Sequence, residues 1–268
     1  MKSVDDLARQ LLDAAAQRRP VEPFSRTVPG FDIARAYAVT AALHQERVAR
    51  GARPIGRKIG FTNRTIWAEY GVYAPIWGYV YDTTVQFAKE PLATVGIGHL
   101  AEPRIEPEII LHFRETPRAT RDEATILASI DWIAHGFEIV QSPFPDWKFQ
   151  VADTVAVNGL HGALVVGPRV PVAGIADCAR KLRDFTIALR NDGIVRAEGG
   201  GANVLDTPLL AMAHLLELLR GLPQFPPVSA GEIVTTGTLT AALPVRPGDT
   251  WSTALAGIEL PGLTLAIK

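Results

Sequence analysis

Leu7 and Leu11 are spaced four residues apart behind Ser3 and Asp6, a capping-box-like start, so the spacing predicts an N-terminal helix. A second helix fits FDIARAYAVTAALHQERVARG, with Asp32 as N-cap and Gly51 as its stop. From about residue 54 the period changes. Short β-prone runs alternate with Gly and Pro: RPIGRKIGF, WGYVYDTTVQF, IEPEIILHF, GFEIVQS and GALVVG. FTIALRNDGIVRAE reads as a hairpin turning at Asn191-Asp192-Gly193, followed by the strand GEIVTTGTL and a last strand pair in GDTWSTALAGIELPGLTLAI. Two helices interrupt these strands. One is TRDEATILASIDWIAHG, with Thr120 and Glu123 as a capping box and Gly136 as terminator. The other is TPLLAMAHLLELLRG, with Thr207 as cap, Pro208 in the first turn and Gly221 at the end. Helices first, then strands with segregated helices, predict an α+β fold. The expected division is an N-terminal helical region, 1–53, and a β-rich catalytic domain, 54–268.

Composition narrows the classes. The chain has 268 residues, 47% hydrophobic and 21% charged, enough for a sizeable core. A net charge of −1 offers no basic field for nucleic acid or an anionic membrane. The single cysteine, Cys178, excludes an internal disulfide and a Cys-rich metal site. The opening MKSVDDLARQLLDAAAQRR is interrupted by acids and does not read as a signal peptide, and no uninterrupted apolar run suggests a membrane span. A cytoplasmic protein is expected.

The chemistry gathers around RIEPEII. Glu106 and Glu108 stand two apart, and with 28 acids in 268 residues chance supplies about three such pairs. On a strand both face one way, roughly 6.5–7 Å apart, with Ile105, Ile109 and Leu111 opposite. Pro107 lacks an N–H, which predicts an edge strand or a strand start, with the acids at an accessible end. Glu138 follows between Phe137 and Ile139, where a charge must be solvated, paired or ligated. Three carboxylates suit Mg²⁺ or Mn²⁺; from spacing alone they are equally three solvated acids at strand ends. In IGRKIGFT, alternation puts Lys58 on the face of Gly56, Gly60 and Thr62, open to a ligand or simply to solvent. Gly237, between Thr236 and Thr238, lets backbone and hydroxyl donors approach closely.

Taken in order, GRKIGFT, RIEPEI, FEIV with DWKFQVADTVAVN, TPLLA and GEIVTTGTL…PVRPGD resemble the 2-oxopent-4-enoate hydratase and 4-oxalocrotonate decarboxylase family, within the fumarylacetoacetate hydrolase superfamily. The resemblance runs over nearly the whole chain. It implies the superfamily's mixed, partly open β-barrel or roll with peripheral helices, as a homo-oligomer. It also implies Glu106, Glu108 and Glu138 as ligands of Mg²⁺ or Mn²⁺, Lys58 as the active-site lysine, Asp82 near a family acidic position, and a substrate-binding turn at Gly237 and Thr238.

The departures fall in the substrate region. Where hydratases read DTVADNAS, this chain has DTVAVNGLHG: Val157 replaces an Asp, Leu160 a Ser, and His161 follows. Where they read TGALGP, it has TGTLTA. His161 is a candidate acid or base, or a hydrogen-bonded histidine near a strand end. The expected activity is metal-dependent hydration of a 2-hydroxydienoic or 2-oxo-alkenoic acid in catabolism of aromatic compounds. Decarboxylation or acylpyruvate-type C–C hydrolysis is the alternative, and a non-catalytic partner subunit is the third reading.

Overall fold

A computed structural model describes residues 2–268, at positions 66, 69 and 70 by backbone alone. The helices are α1 (Val4–Ala16), α2 (Phe24–Thr27), α3 (Ile33–Ala49), α4 (Trp67–Tyr70), α5 (Glu123–Ala128), α6 (Val151–Ala156), α7 (Cys178–Asp184) and α8 (Pro208–Arg220). Local chemistry sets the long ones. Ser3 and Asp6 close a reciprocal capping box on α1, and the Asp32 carboxylate accepts the Arg35 N–H at the start of α3. The Thr207 hydroxyl accepts the Leu210 N–H at the start of α8, with Pro208 in the first turn. Residues Gly201–Arg220 are long and apolar enough for a membrane span by composition, yet most of that stretch is buried inside the fold, as in a core helix.

The strands are β1 (Pro54–Gly60), β2 (Ile76–Tyr81), β3 (Val85–Phe87), β4 (Leu92–Val95), β5 (Arg104–Phe113), β6 (Ile130–Val140), β7 (His161–Val166), β8 (Val170–Pro171), β9 (Thr186–Asn191), β10 (Ile194–Gly200), β11 (Ile233–Thr235), β12 (Leu243–Pro244), β13 (Thr250–Ala256) and β14 (Thr264–Ile267). One mixed sheet runs β2-β1-β11-β5-β6-β7-β3, with β12 added to β5 and β8 to β6. It curls into the expected partly open barrel within an α+β fold. A second sheet runs β10-β9-β13-β14-β4. Phe137 and Ile139 of β6 pack against Leu189, Trp251 and Leu265 of that second sheet. Alternation then turns Glu138 to the other face of the sheet. There Val80, Ile110, Ala134, Leu164 and Ile233 form an apolar floor. The helices close the outside: α1 and α3 share one apolar cluster with Trp77, Tyr79 and Ile109 of the sheet and with Leu209 and Met212 of α8.

Two local expectations are corrected. The helix expected over TRDEATILASIDWIAHG stops at Ala128, is capped by Asp122 rather than Thr120, and gives way to β6 at Ile130. IDWIAHGFEIV is rich in β-branched and aromatic side chains, and ten paired positions with β5 outweigh its helical spacing. Gly136 is therefore a mid-strand residue, where a Cβ would lie 2.4 Å from the Val165 carbonyl oxygen. Pro107 lies inside β5, opposite Phe137, and not at an edge. On its other flank the neighbour changes from β12, paired at Arg104 and Ile105, to β11, paired from Ile110. The missing N–H falls in that gap, where the Pro107 carbonyl accepts the Leu239 N–H at 2.9 Å.

Candidate active site

The β5–β6 register sets Glu106 directly opposite Glu138, with Glu108 one step along the same face. Like charges opposed across two strands repel unless something lies between them. Glu108 and Glu138 are fully buried, Glu106 partly so, and one oxygen from each comes within 4.8 Å of the others. The acids therefore stand within the curled sheet, not at an accessible strand end. Lys58, 2% exposed on β1, reaches in so that Nζ lies 2.8 Å from Glu138 Oε2. His161, the first residue of β7, holds the other oxygen: Nδ1 is 2.7 Å from Glu138 Oε1, and Nε2 is 2.8 Å from the Thr84 hydroxyl. The Gly237 N–H donates to Glu108 Oε2 at 2.8 Å.

Three carboxylates against one ammonium is an unbalanced charge. Burial drives Glu108 well above the usual carboxylate range, and the Glu138 and Glu106 charges add to it. Burial likewise pushes Glu106 up to about 7, against the pull of Lys58. For Glu138 burial is again the largest influence and acts upward, but Lys58 and His161 together outweigh it and hold the group at about 2. Burial also acts downward on Lys58, yet the attraction of Glu138, Glu106 and Glu108 leaves it above its ordinary value. Burial lowers His161, partly offset by its hydrogen bond to Glu138.

Glu108 Oε1 is buried with no hydrogen-bond partner among the described residues. An orphaned carboxylate oxygen, facing two more that converge on it, fits a hard divalent cation that takes oxygen ligands. Glu106, Glu108 and Glu138 would hold it, and Lys58 would remain beside it as a fixed ammonium.

Lys58 and Glu106 open onto a cavity of about 60 Å³. Thr62, Thr238 and Arg104 contribute its polar wall, and Phe61, Trp147 and Leu160 its apolar wall. Phe61, Trp147 and Leu160 all have positive φ, 55°, 57° and 64°, a costly backbone state for such side chains and one concentrated at ligand sites. At Gly237, φ +100°, an added Cβ would lie 1.8 Å from the Thr62 hydroxyl oxygen, so the close approach of this turn requires glycine. The Thr238 hydroxyl donates to the Thr240 carbonyl at 2.9 Å, so it shapes the turn.

Asp82 is not gathered here. It is held by Arg53, accepting from that residue's backbone N–H at 2.9 Å and from its guanidinium at 2.8 Å. His161 joins the cluster from behind Glu138, with both ring nitrogens engaged, which is a positioning arrangement. Two cavity residues lay inside quoted motifs without being singled out. Arg104 sits two residues before Glu106 on the same strand face, its guanidinium 4.0 Å from the Trp147 ring. Thr62 keeps a buried hydroxyl with no partner among the described residues. Same-face spacing from Glu106 and Lys58 is the signal that marks them.

No family model matches the chain. A 2-keto-4-pentenoate hydratase of Burkholderia vietnamiensis is 30% identical over 257 residues, spanning 96% of this chain and 95% of the relative. This chain belongs to the 2-keto-4-pentenoate hydratase/4-oxalocrotonate decarboxylase family. Among solved structures of that family, the 4-oxalocrotonate decarboxylase of Pseudomonas putida G7, complexed with magnesium and adipate, superposes with a TM-score of 0.89 at 26% identity, covering 99% of this chain and 97% of that one. The wider superfamily fold is seen in a fumarylpyruvate hydrolase of Pseudomonas aeruginosa, with a TM-score of 0.58 at 14% identity over 80% of this chain and 89% of that one.

Proposed function

We propose that this chain is a divalent-metal-dependent hydratase of a 2-hydroxydienoic or 2-oxo-alkenoic acid, a hydro-lyase working in catabolism of aromatic or related compounds. The observation that carries it is the buried trio Glu106, Glu108 and Glu138, converging within 4.8 Å beside the Lys58 ammonium. Its relationship to 2-keto-4-pentenoate hydratases supports the reaction class. A scaffold subunit has no physical use for such a cluster, because burying like charges is costly without chemistry to serve. Mg²⁺ or Mn²⁺ is the proposed ion, and a cytoplasmic homo-oligomer the proposed form.

Held by Glu106, Glu108 and Glu138, the ion would supply Lewis-acid polarisation of the substrate's oxygens. The remaining chemistry belongs to the chain. The dienol gains a proton at its far carbon and loses its O–H proton, giving an α,β-unsaturated 2-oxo acid. Water then adds across the double bond, hydroxyl to the β carbon and hydrogen to the α carbon. Lys58 holds a proton at Nζ on the cavity wall, placed to deliver or relay it. Thr62 offers an unpaired hydroxyl to water or substrate. Phe61, Trp147 and Leu160 exclude bulk water, and His161 fixes the Glu138 carboxylate.

Decarboxylation is the second reading, supported by the likeness to the P. putida decarboxylase. Supplying 2-hydroxypenta-2,4-dienoate and 2-oxohex-3-enedioate with Mg²⁺ separates the two. The expected result is loss of dienol absorbance without CO₂ release. CO₂ from the second compound makes the chain a decarboxylase, and no turnover of either, with calorimetric metal binding intact, overturns both readings. Glu106→Ala is expected to abolish Mg²⁺ binding and activity while leaving the fold intact.

A further inference from the structure

A second cavity, about 590 Å³, lies between α1, α3 and the segments that follow β2, precede β5 and follow β6. That size suits a small molecule. Its apolar surface comes from Leu11, Leu43, Leu100 and Val157. Arg18, Arg19, Arg47 and Arg50 supply the charge, with His99, and no carboxylate is among its described lining residues. These arginines are weakly committed elsewhere. Arg19 donates to Gln17, and Arg50 lies 3.7 Å from Glu46. The guanidinium of the half-buried Arg47 stacks over the Tyr81 ring at 5.1 Å, and among the described residues no side-chain ion pair or hydrogen bond holds it. A guanidinium over an aromatic face, lining a partly apolar hollow, matches a carboxylate bearing a hydrophobic body.

Thr84 and the buried His161 are among the residues lining this hollow. His161 links this hollow to the carboxylate cluster: Nε2 meets Thr84 at 2.8 Å, and Nδ1 meets Glu138 at 2.7 Å. Val157 and His161, in the segment where the chain departs from the hydratase pattern, both line it.

We propose that this cavity is a second binding site, for a small organic acid, with its carboxylate on Arg47 and the neighbouring arginines and its apolar body on Leu11, Leu43, Leu100 and Val157. It is distinct from the site of turnover and is linked to it through His161, which contacts Glu138. Occupancy reaches Glu138 through the Thr84–His161 contact and so changes metal affinity.

The test is calorimetry on the full chain after EDTA treatment, with phenylacetate as probe and 2-phenylethanol as its uncharged counterpart. The expected result is one phenylacetate per chain and at least about tenfold weaker binding of the alcohol, as loss of a charge-assisted contact requires. Arg47→Gln should weaken phenylacetate by a similar factor. The exposed pair Arg18→Gln and Arg50→Gln, which carries little risk to folding, should also weaken it. Saturating phenylacetate should then shift the Mg²⁺ affinity of the EDTA-treated wild-type chain. The proposal is overturned by equal binding of acid and alcohol, or by no saturable binding. It is likewise overturned if Lys58→Met, and not the arginine variants, removes the binding. A change in subunit number on Arg47→Gln, read by sedimentation, makes the hollow an interface between copies and also overturns it.

Discussion

Glu108→Gln is expected to stabilise the metal-free protein while removing a ligand of the proposed metal site. Glu108 is fully buried, its Oε1 has no partner among the described residues, and two further carboxylates converge on it. If it stays ionised, each ionised neighbour within 4.8 Å repels it by at least about 3.5 kcal/mol at an effective dielectric of about 20. If it takes up a proton instead, moving a carboxyl with an ordinary value of 4.5 to neutrality costs about 3.4 kcal/mol at about pH 7. Protonation is the cheaper route, and its cost is the strain that the metal-free native state carries. Glutamine is nearly isosteric, and its carbonyl oxygen still accepts the Gly237 N–H. A gain of roughly 2–3 kcal/mol follows, or on the order of 5–10 °C in Tm for a chain of this size. The pH dependence has a fixed sign. The folded-state value of Glu108 is raised, so the stability it contributes is complete below the unfolded value and is lost as pH climbs towards the folded one. The advantage of Glu108→Gln therefore opens above about pH 4.5 and widens towards neutrality. Thermal melts in EDTA across that window, paired with the same series in Mg²⁺, read it directly. With Mg²⁺ the parent should gain stability and the variant little. A metal-free variant melting at or below the parent near neutral pH would refute the reasoning, as would a gap that persists undiminished at acid pH.

Two further substitutions test the surroundings. Lys58→Met should cut kcat by about 10²-fold or more with Mg²⁺ affinity unweakened, since removing an ammonium leaves the carboxylates more attractive to a cation; calorimetry beside steady-state kinetics checks both. His161→Asn should weaken Mg²⁺ roughly 10- to 100-fold, because Glu138 Oε1 loses the ring that fixes it; unchanged affinity by calorimetry would leave His161 a packing residue.

Helices α1, α3 and α8 were legible because their caps and their spacing agree, and each signal is local. The Asn191-Asp192-Gly193 hairpin was legible for the same reason. β6 was not, because DWIAHG carries helical spacing and only the partner strand β5 decides against it. Pro107 misled in a similar way: the rule that proline avoids paired strands holds for each N–H, and here the lost N–H falls where β5 changes neighbours. In the site, Glu106 and Glu108 were readable as one face from a period of two. Their relation to Glu138 was not, because it depends on register between strands separated by a long connection. Asp82 fits the acidic pattern but is drawn away by Arg53, a contact between positions 29 residues apart. The His161 contact with Glu138 depends likewise on how β6 and β7 align.

The same register explains why the cluster cannot be divided into separate binding and proton-handling parts. Glu138 is the one carboxylate held low, at about 2, and it is held there by both Lys58 and His161. Glu106 and Glu108, without such partners, are raised. A cation arriving at the trio meets one carboxylate already ionised and two that must release protons, so metal uptake is coupled to proton release. Lys58 cannot be tuned without disturbing Glu138, and Glu138 cannot be replaced without freeing Lys58. That mutual dependence places the lysine at the cavity wall in a fixed, charged state before any substrate enters. Preorganisation of this kind is what lets a buried ammonium act on a reacting oxygen without first being desolvated.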